Sequence, residues 1–432
     1  MKRIISLLFL SIVFLFSLMT LYTSRSGVKY IVENTSKANN NIQDFSPNIN
    51  KVLKEGFWHK NEIINFYGLG ERLLGRRASN DRIYYRDSSN IMHIDRGIHD
   101  FTSFYKDNDW LSNYCKEKNI PYLVMQVPEK GQYGDEYSQK VDKKCTTEYI
   151  EKLRTDVFSN NDLYIDSFEL FKNHNLVDTD IFFKTDFHCT TLAELTEVSE
   201  IVRQLQFRGL KFYSPETVLD FDNTENYEKF DRKFIGNLSS QYGKFYAGTD
   251  SFAYYVPKYE TDMQRVNKDG VAYKNGKFSD SMLNGLYADS KNWKYFVTDF
   301  LDWPEPYYEI HNNLAEKGPN ILVFIDSQSM RAVTYLSLMC SNVTVLDPRY
   351  FNAENNYFDK IKNKAYDAII TFATCDLWRG LTYEPELLNK TNGGGGINLY
   401  CILTLLIFTT LVYFAKKRGF IRQGKKNTCC IS

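Results

Sequence analysis

An excess of charge of either sign is the first thing this chain lacks. Its 432 residues carry 53 Lys and Arg against 53 Asp and Glu, a formal net charge of zero. That removes the basic bias on which nucleic-acid binding rests. With 43% hydrophobic and 25% charged residues, the composition excludes a wholly disordered chain, a collagen-like fibre and a polytopic membrane protein. The nucleotide motifs GxGxxG and GxxxxGK[ST] are missing, and so is support for nucleotide chemistry. No CxxC or Cys/His ligand spacing appears, which argues against a structural zinc site. The six histidines (His59, His93, His99, His174, His188 and His311) are scattered without paired spacing, leaving a metal centre as a weaker alternative. Repeats are absent. Tryptophan is scarce, 5 residues against 31 Tyr and 31 Phe. The high aromatic content reads first as a compositional bias and second as sugar-stacking surface.

What is present lies first at the two ends. After Met1-Lys2-Arg3, Ile4 to Tyr22 runs for 19 residues without a charge, long enough to cross a bilayer core as a helix. No small-residue cleavage site follows, so residues 1–25 read as an uncleaved signal anchor rather than a signal peptide. Residues 26–50, rich in Asn and Ser, read as a tether. A second apolar run, residues 397–415, follows a Gly-rich linker at 391–396. The tail at 416–432 contains Lys416, Lys417, Arg418, Arg422, Lys425 and Lys426 and no acid. The positive-inside rule then places both termini in the cytoplasm and the region between the spans outside the cell membrane.

Five of the eight cysteines fall in that outer region (Cys115, Cys145, Cys189, Cys340 and Cys375), an odd number that leaves at least one thiol free if bridging is internal. Cys429-Cys430-Ile431-Ser432 matches a prenylation box in form, and the cysteine pair could equally be palmitoylated. A chain held by two spans gains little from either. Asn34, Asn237, Asn342 and Asn389 head N-x-S/T sequons, which matter only in a host that glycosylates.

From residue 51 to 390 the pattern is globular. Short, nearly continuous apolar runs at 121–127, 163–166, 321–326, 342–347 and 367–374 read as buried strands separated by helix-length segments. Such alternation argues for an α/β fold with a parallel sheet covered on both faces. Reactive groups in such sheets sit at the carboxyl ends of the strands. Residues 207–300 break the rhythm. They are rich in Tyr, Asp, Asn and Gly with short β-like pieces such as 252–257, and read as a β-rich insertion serving as a lid or a substrate surface.

Two segments carry chemistry. In Phe182 to Leu195, Thr191-Leu192-Ala193-Glu194 has the form of a capping box that opens a helix. Leu192, Leu195, Val198, Ile201, Val202 and Leu205 recur at helical spacing. Asp186 and His188 therefore stand on the turn before a helix. An aspartate there fixes the imidazole's tautomer and makes it a better general base. The bland reading is a capped turn. In Ile321 to Val333, a buried strand runs into Asp326-Ser327-Gln328-Ser329 and then a helix. A serine there reaches the cleft at the strand's carboxyl end, and backbone N–H groups can hold an oxyanion. Its bland reading is an N-cap. A register shift of two would make Ser329 the nucleophile instead.

Taken in order, Val127-Pro128-Glu129-Lys130, Lys184 to Thr190, Val323 to Ser329 and Val345 to Phe351 resemble the SGNH-hydrolase-like ectodomains of bacterial alginate O-acetyltransferase accessory proteins and the related DHHW-motif proteins. The likeness covers roughly residues 60–380. It implies an SGNH-like, flavodoxin-like sheet and a triad of Ser327 as nucleophile, His188 as base and Asp186 as its orienting partner. It implies no bound cofactor beyond an acetyl donor, a multi-pass membrane-bound O-acyltransferase as partner, and an exported polysaccharide as acceptor. A carbohydrate acetylesterase, or a non-catalytic scaffold or glycan-binding partner, are the alternatives. The chain departs from the pattern at Cys189, where Trp is usual, and at Ile325, where esterase relatives place Gly. The Ser327 N–H is the oxyanion donor that the motifs supply. Arg349 matches the Asp-x-Arg that follows the next strand and implies a structural or site-rim role.

Overall fold

A computed structural model describes residues 2–38, 52, 56–77, 84–94, 102–130, 133, 163–215, 221, 223–283, 305–350 and 364–374. The chain divides into two units, residues 1–60 with 386–432, and residues 61–385.

In the first unit a helix, α1 (Lys2–Ala38), contains the first apolar run. It continues past the expected end of the anchor into the stretch read as a tether, because no proline interrupts the chain before Pro47. Side chains of α1 are described from Leu10 to Lys29. Among the described residues no helix is long and apolar enough to cross a membrane. The second apolar run, the Gly linker and the basic tail lie outside the described residues.

The second unit opens with α2 (Lys60–Leu73), a small ribbon of β1 (Tyr84–Arg86) and β2 (Met92–Ile94), and α3 (Thr102–Lys118). Strands β3 (Tyr122–Gln126) and β4 (Tyr164–Asp166) precede α4 (Ser167–Asn173), α5 (Asp178–Ile181) and the long α6 (Thr191–Phe207). Then come β5 (Tyr227–Phe234), α7 (Asn237–Tyr242), α8 (Lys244–Ala247), β6 (Asp250–Pro257), β7 (Met263–Asn267), β8 (Ala272–Gly276) and α9 (Phe278–Ser281). Strands β9 (Tyr307–Asn312) and β10 (Asn320–Phe324), α10 (Met330–Leu336), β11 (Asn342–Leu346) and β12 (Ala368–Ala373) complete it.

All five strands expected from the apolar runs form, and all five are parallel, in the order β4-β3-β12-β10-β11. Their near-total burial fits strands covered on both faces. In chain order the five lie 2-1-5-3-4, differing from the 2-1-3-4-5 order of flavodoxin-like sheets because the last strand inserts beside the first. Three antiparallel strands, β9, β7 and β8, widen the sheet beyond β11.

Alternate side chains of each parallel strand face opposite ways. Leu123, Met125, Ile321, Val323, Ile370 and Phe372 join one core with Leu195, Val198 and Ile201 of α6 and Val333 and Leu336 of α10. Each fully buried aliphatic contributes about 1.5–3 kcal/mol. On the other face the Tyr122 hydroxyl donates to Asn108 of α3 at 2.8 Å and meets the Thr371 hydroxyl at 3.1 Å.

The insertion is bound into this core rather than laid over it. The β5–β6 ribbon packs Phe234, Phe252 and Tyr255 against α6 and α10. Tyr255 exchanges two bonds with the Tyr335 hydroxyl, at 3.0 and 2.9 Å, and Thr191 donates to Ala253 O at 2.6 Å. Strands β7 and β8 join the main sheet outright. Aromatic side chains of the insertion, read from sequence as lid or sugar surface, are in large part core. Cys115, Cys189 and Cys340 are free and buried, while Cys145 and Cys375 lie outside the described residues.

Candidate active site

The loop between α5 and α6 is closed on itself. Phe182 and Cys189 form an antiparallel bridge, and Thr190 N donates to Ile181 O at 2.7 Å. Thr190, not Thr191, caps α6, accepting from Ala193 N at 3.2 Å. The expected capping box is therefore displaced by one residue, and Glu194 is turned to another use described below.

At the tip of this loop Asp186 and His188 come together. Asp186 Oδ1 lies 2.5 Å from His188 Nδ1 and accepts from the His188 backbone N–H at 3.1 Å. The carboxylate thus caps the turn and orients the ring at once. Its second oxygen accepts from Asn237 N at 2.7 Å. Burial pushes the Asp186 carboxyl up, but the His188 charge and the three hydrogen bonds outweigh it and hold the group well below the usual carboxylate range. A carboxylate can only accept, so Nδ1 carries a proton, and in the neutral ring Nε2 offers its lone pair. The Phe187 ring stacks on the imidazole, centroids 4.2 Å apart.

Further bonds fix the backbone beneath this pair. Asp250, at the start of β6, accepts from Lys184 N at 3.1 Å and from both Thr185 N and Thr185 Oγ1 at 2.6 Å. Gly236 N donates to Thr185 Oγ1 at 2.9 Å and Ser239 N to Thr185 O at 3.1 Å. The buried Lys130 ammonium donates to Met92 O at 3.0 Å and Phe183 O at 2.6 Å. Burial lowers its pKa to about 8 against the opposing pull of Asp250, Asp186 and Asp87.

Ser327 stands where β10 ends, first in a 3-10 turn (Ser327–Ser329) that leads into α10. Asp326, not Ser327, caps that turn, accepting from Gln328 N at 2.7 Å and, on its other oxygen, from the Thr374 hydroxyl beyond β12. Burial raises the Asp326 acid, with Arg349 pulling the other way. Ser327 is half-buried, whereas Ser329 is 1% exposed. Among the described residues no hydrogen bond engages the Ser327 hydroxyl, and none joins it to His188. Arg349 grips Asp347 through a fork, Nε to Oδ1 at 2.9 Å and Nη2 to Oδ2 at 2.6 Å.

The two motif loops lie side by side nonetheless. They open α6 and α10, which pack together, and Arg331 of α10 donates to Cys189 O at 2.7 Å, next to His188, and to Glu194. Sequence reasoning gave Asn237 only as a sequon and assigned no site role to Asp250, Lys130, Thr374 or Arg331. Lys130 alone carried a signal, as part of the motif after β3. Among the described residues no group of three or more His, Cys, Asp or Glu side chains is placed to hold a metal ion.

No family model and no curated protein matches the chain. Solved structures do. Bacillus cereus PatB1 with a sulfonyl adduct is similar at 18% identity and a TM-score of 0.54, over 70% of this chain and 100% of that one. A DHHW family protein from Eubacterium siraeum is similar at 16% identity and a TM-score of 0.50, over 71% and 100%. The O-acetyltransferase domain of Pseudomonas putida AlgJ stands further off, at 9% identity and a TM-score of 0.40, over 72% and 96%. The resemblance to DHHW-motif proteins expected from the motifs is met in the fold.

Proposed function

We propose that this chain is a membrane-anchored, extracellular serine O-acyltransferase that moves an acyl group, acetyl in the first instance, onto hydroxyls of a cell-surface or exported polysaccharide. The observation that carries the reading is the buried Asp186–His188 pair, its Nδ1–Oδ1 distance 2.5 Å. Its loop is tied by Arg331 to the loop that bears Ser327. Asp326 takes the capping role that would otherwise explain a serine at this junction. The anchor rests on the two apolar runs and the basic tail.

In this mechanism Ser327 Oγ attacks the carbonyl carbon of an acyl donor while His188 Nε2 takes the hydroxyl proton. The negative oxygen of the tetrahedral intermediate is met by the Ser327 N–H. Collapse expels the donor's leaving group, which takes the proton from His188. A sugar hydroxyl then attacks the acyl-serine, gives its proton to His188, and the proton returns to Ser327 Oγ as the ester departs. Asp186 holds the tautomer and stabilises the imidazolium in each half. Water in place of the sugar makes the same site an acetylesterase. A multi-pass O-acyltransferase, the partner that the resemblance implies, fits as the source of acyl groups.

The second reading, a non-catalytic scaffold or glycan-binding partner, draws on the missing hydrogen bond between Ser327 and His188. Ligand-free sites often hold such bonds open until substrate arrives. Peptide mass spectrometry after exposure of the detergent-purified chain to an activated acetyl ester separates the two. An acetyl group on Ser327, absent in Ser327→Ala and slowed by about three orders of magnitude or more in His188→Ala, is the expected result. A folded wild-type protein that forms no adduct and turns over no ester refutes the enzyme.

A further inference from the structure

Arg331 is a buried cation that the mechanism above leaves unused. It is 3% exposed, and its Nη2 donates both to the Cys189 carbonyl at 2.7 Å and to Glu194. Its guanidinium carbon lies 5.6 and 5.7 Å over the rings of Phe183 and Phe252. Cys189 directly follows the histidine, and Arg331 lies four residues beyond Ser327. One side chain therefore spans the two segments that the chemistry must keep in register, whose ends lie 142 residues apart.

A stability role alone accounts poorly for this arrangement. Charges taken out of water lose hydration that their mutual attraction repays only in part, so well-packed apolar residues usually serve a core as well or better. The surroundings add to that cost. Glu197, one turn along α6, is buried among the same groups with one oxygen unpartnered, as are one Glu194 oxygen and the Arg331 Nε. What a guanidinium offers and an apolar pair lacks is a rigid fork with fixed directions. Here one guanidinium nitrogen, Nη2, makes both bonds, to the carbonyl beside the base and to Glu194, its direction fixed by the plane of the group.

We infer that Arg331, braced by Glu194, is a positioning residue that sets the distance and angle between His188 and Ser327. It reaches no substrate, and acts by holding the Cys189 carbonyl and hence the His188 ring against the nucleophile's turn. The inference rests on the triad assignment of the preceding subsection. It also has a consequence that does not depend on turnover: the Asp186–His188 hydrogen bond should lose its fixed geometry when the fork is lost.

The test uses the full chain in detergent with two variants. Arg331→Lys keeps the charge but replaces the planar, fixed Nη2 by a freely rotating ammonium on a shorter stem. The double variant Arg331→Met with Glu194→Leu removes both charges and keeps the volume. Three quantities are read: melting temperature, the acetylation rate of Ser327 with its half-saturating ester concentration, and the low-field proton resonance of the Asp186–His188 bond, assigned by its loss in Asp186→Asn. The expected result is a rate about 100-fold lower at unchanged half-saturation, as for a misplacement of about 1 Å, with the resonance broadened or shifted. The double variant should melt at or above the wild-type temperature. Rates within threefold of wild type with an intact resonance, in either folded variant, overturn the inference. Should the double variant not fold, Arg331→Lys decides by the same readouts. If wild-type protein takes no acetyl group, the triad assignment fails, and the resonance alone then decides the role of Arg331.

Discussion

Gly236→Ala tests whether the insertion holds the candidate base in place. Gly236 has φ of −68° and ψ of 170°, a conformation alanine adopts without strain, so any effect must come from contact. An added Cβ would lie 2.3 Å from Thr185 O, 2.4 Å from Thr185 C and 2.5 Å from the Asp186 Cβ. These are mostly backbone atoms of the loop that carries Asp186, not the ends of mobile side chains. Restoring ordinary contact requires a shift of about 1 Å. Overpacking of this kind costs about 1–3 kcal/mol. The same shift pulls Asn237 N from Asp186 Oδ2, now at 2.7 Å, and a hydrogen bond to a charged group contributes about 1.5–3 kcal/mol. Misplacing a catalytic group by about 1 Å costs about 100-fold in rate. We therefore expect a melting temperature several degrees lower and an acyl-transfer or ester-hydrolysis rate down about 100-fold, read by thermal unfolding and a pH–rate profile. With a donor lost from Asp186, its carboxyl rises. Gly70→Ala is the control, in α2 with nothing within 4 Å of its added Cβ. It should stabilise the helix by up to about 1 kcal/mol and leave the rate alone. Wild-type rate and melting temperature in Gly236→Ala would refute the reasoning, since the loop would then yield without consequence.

Asp186→Asn keeps an acceptor for Asn237 N but no longer selects the Nδ1–H tautomer of His188. The acetylation rate should fall by about three to four orders of magnitude, and the melting temperature by several degrees, because the new NH2 faces the His188 N–H that Oδ1 now accepts; a rate loss under tenfold would remove Asp186 from the mechanism. Lys130 supplies a test in alkali. Its folded pKa is about 8 against an ordinary 10.5, so between those values the unfolded chain binds more protons and stability gains as pH rises. Below about pH 8 both states are protonated and the contribution is flat. The unfolding free energy of wild type minus that of Lys130→Met should therefore climb between pH 8 and 10.5 by up to about 3 kcal/mol, measured by denaturant titration. A flat difference would mean that the ammonium is not desolvated.

The parallel sheet was legible because each strand is buried on both faces and so reads as an unbroken apolar run. Leu195, Val198, Ile201, Val202 and Leu205 of α6 are buried where the helical period put them. Asp186 and His188 were legible because their partnership spans two residues. What holds them was not. Asn237 contributes a backbone N–H, which has no side-chain signature, and it acts from 51 residues away. Asp250 looked like one more acid in a polar insertion. Arg331 is the one charge on an apolar helix and Glu194 stands among other acids on its own helix, and nothing in the spacing of one reveals that it meets the other 137 residues distant. The aromatic content read first as a compositional bias and second as sugar-stacking surface, and 207–300 as a lid or substrate surface, whereas Tyr227, Phe234, Phe252 and Tyr255 of that insertion face the core. Composition records which side chains are present and not which way a ribbon turns them.

The spread of these tethers along the chain bears on when the site can work. Synthesis runs from the N-terminus, and domains fold as their parts become available. A chain ending before residue 237 already contains Asp186 and His188, but neither the amide that holds the carboxylate nor the Asp250 that pins Thr185. One ending before residue 331 still lacks the bond to the Cys189 carbonyl, and Thr374 reaches Asp326 only when β12 is in place. Contacts so distant in sequence also form slowly. On the proposed mechanism a newly made molecule would have its acid–base pair early and the contacts that hold it last, and would pass through synthesis without a competent nucleophile to spend on the wrong ester.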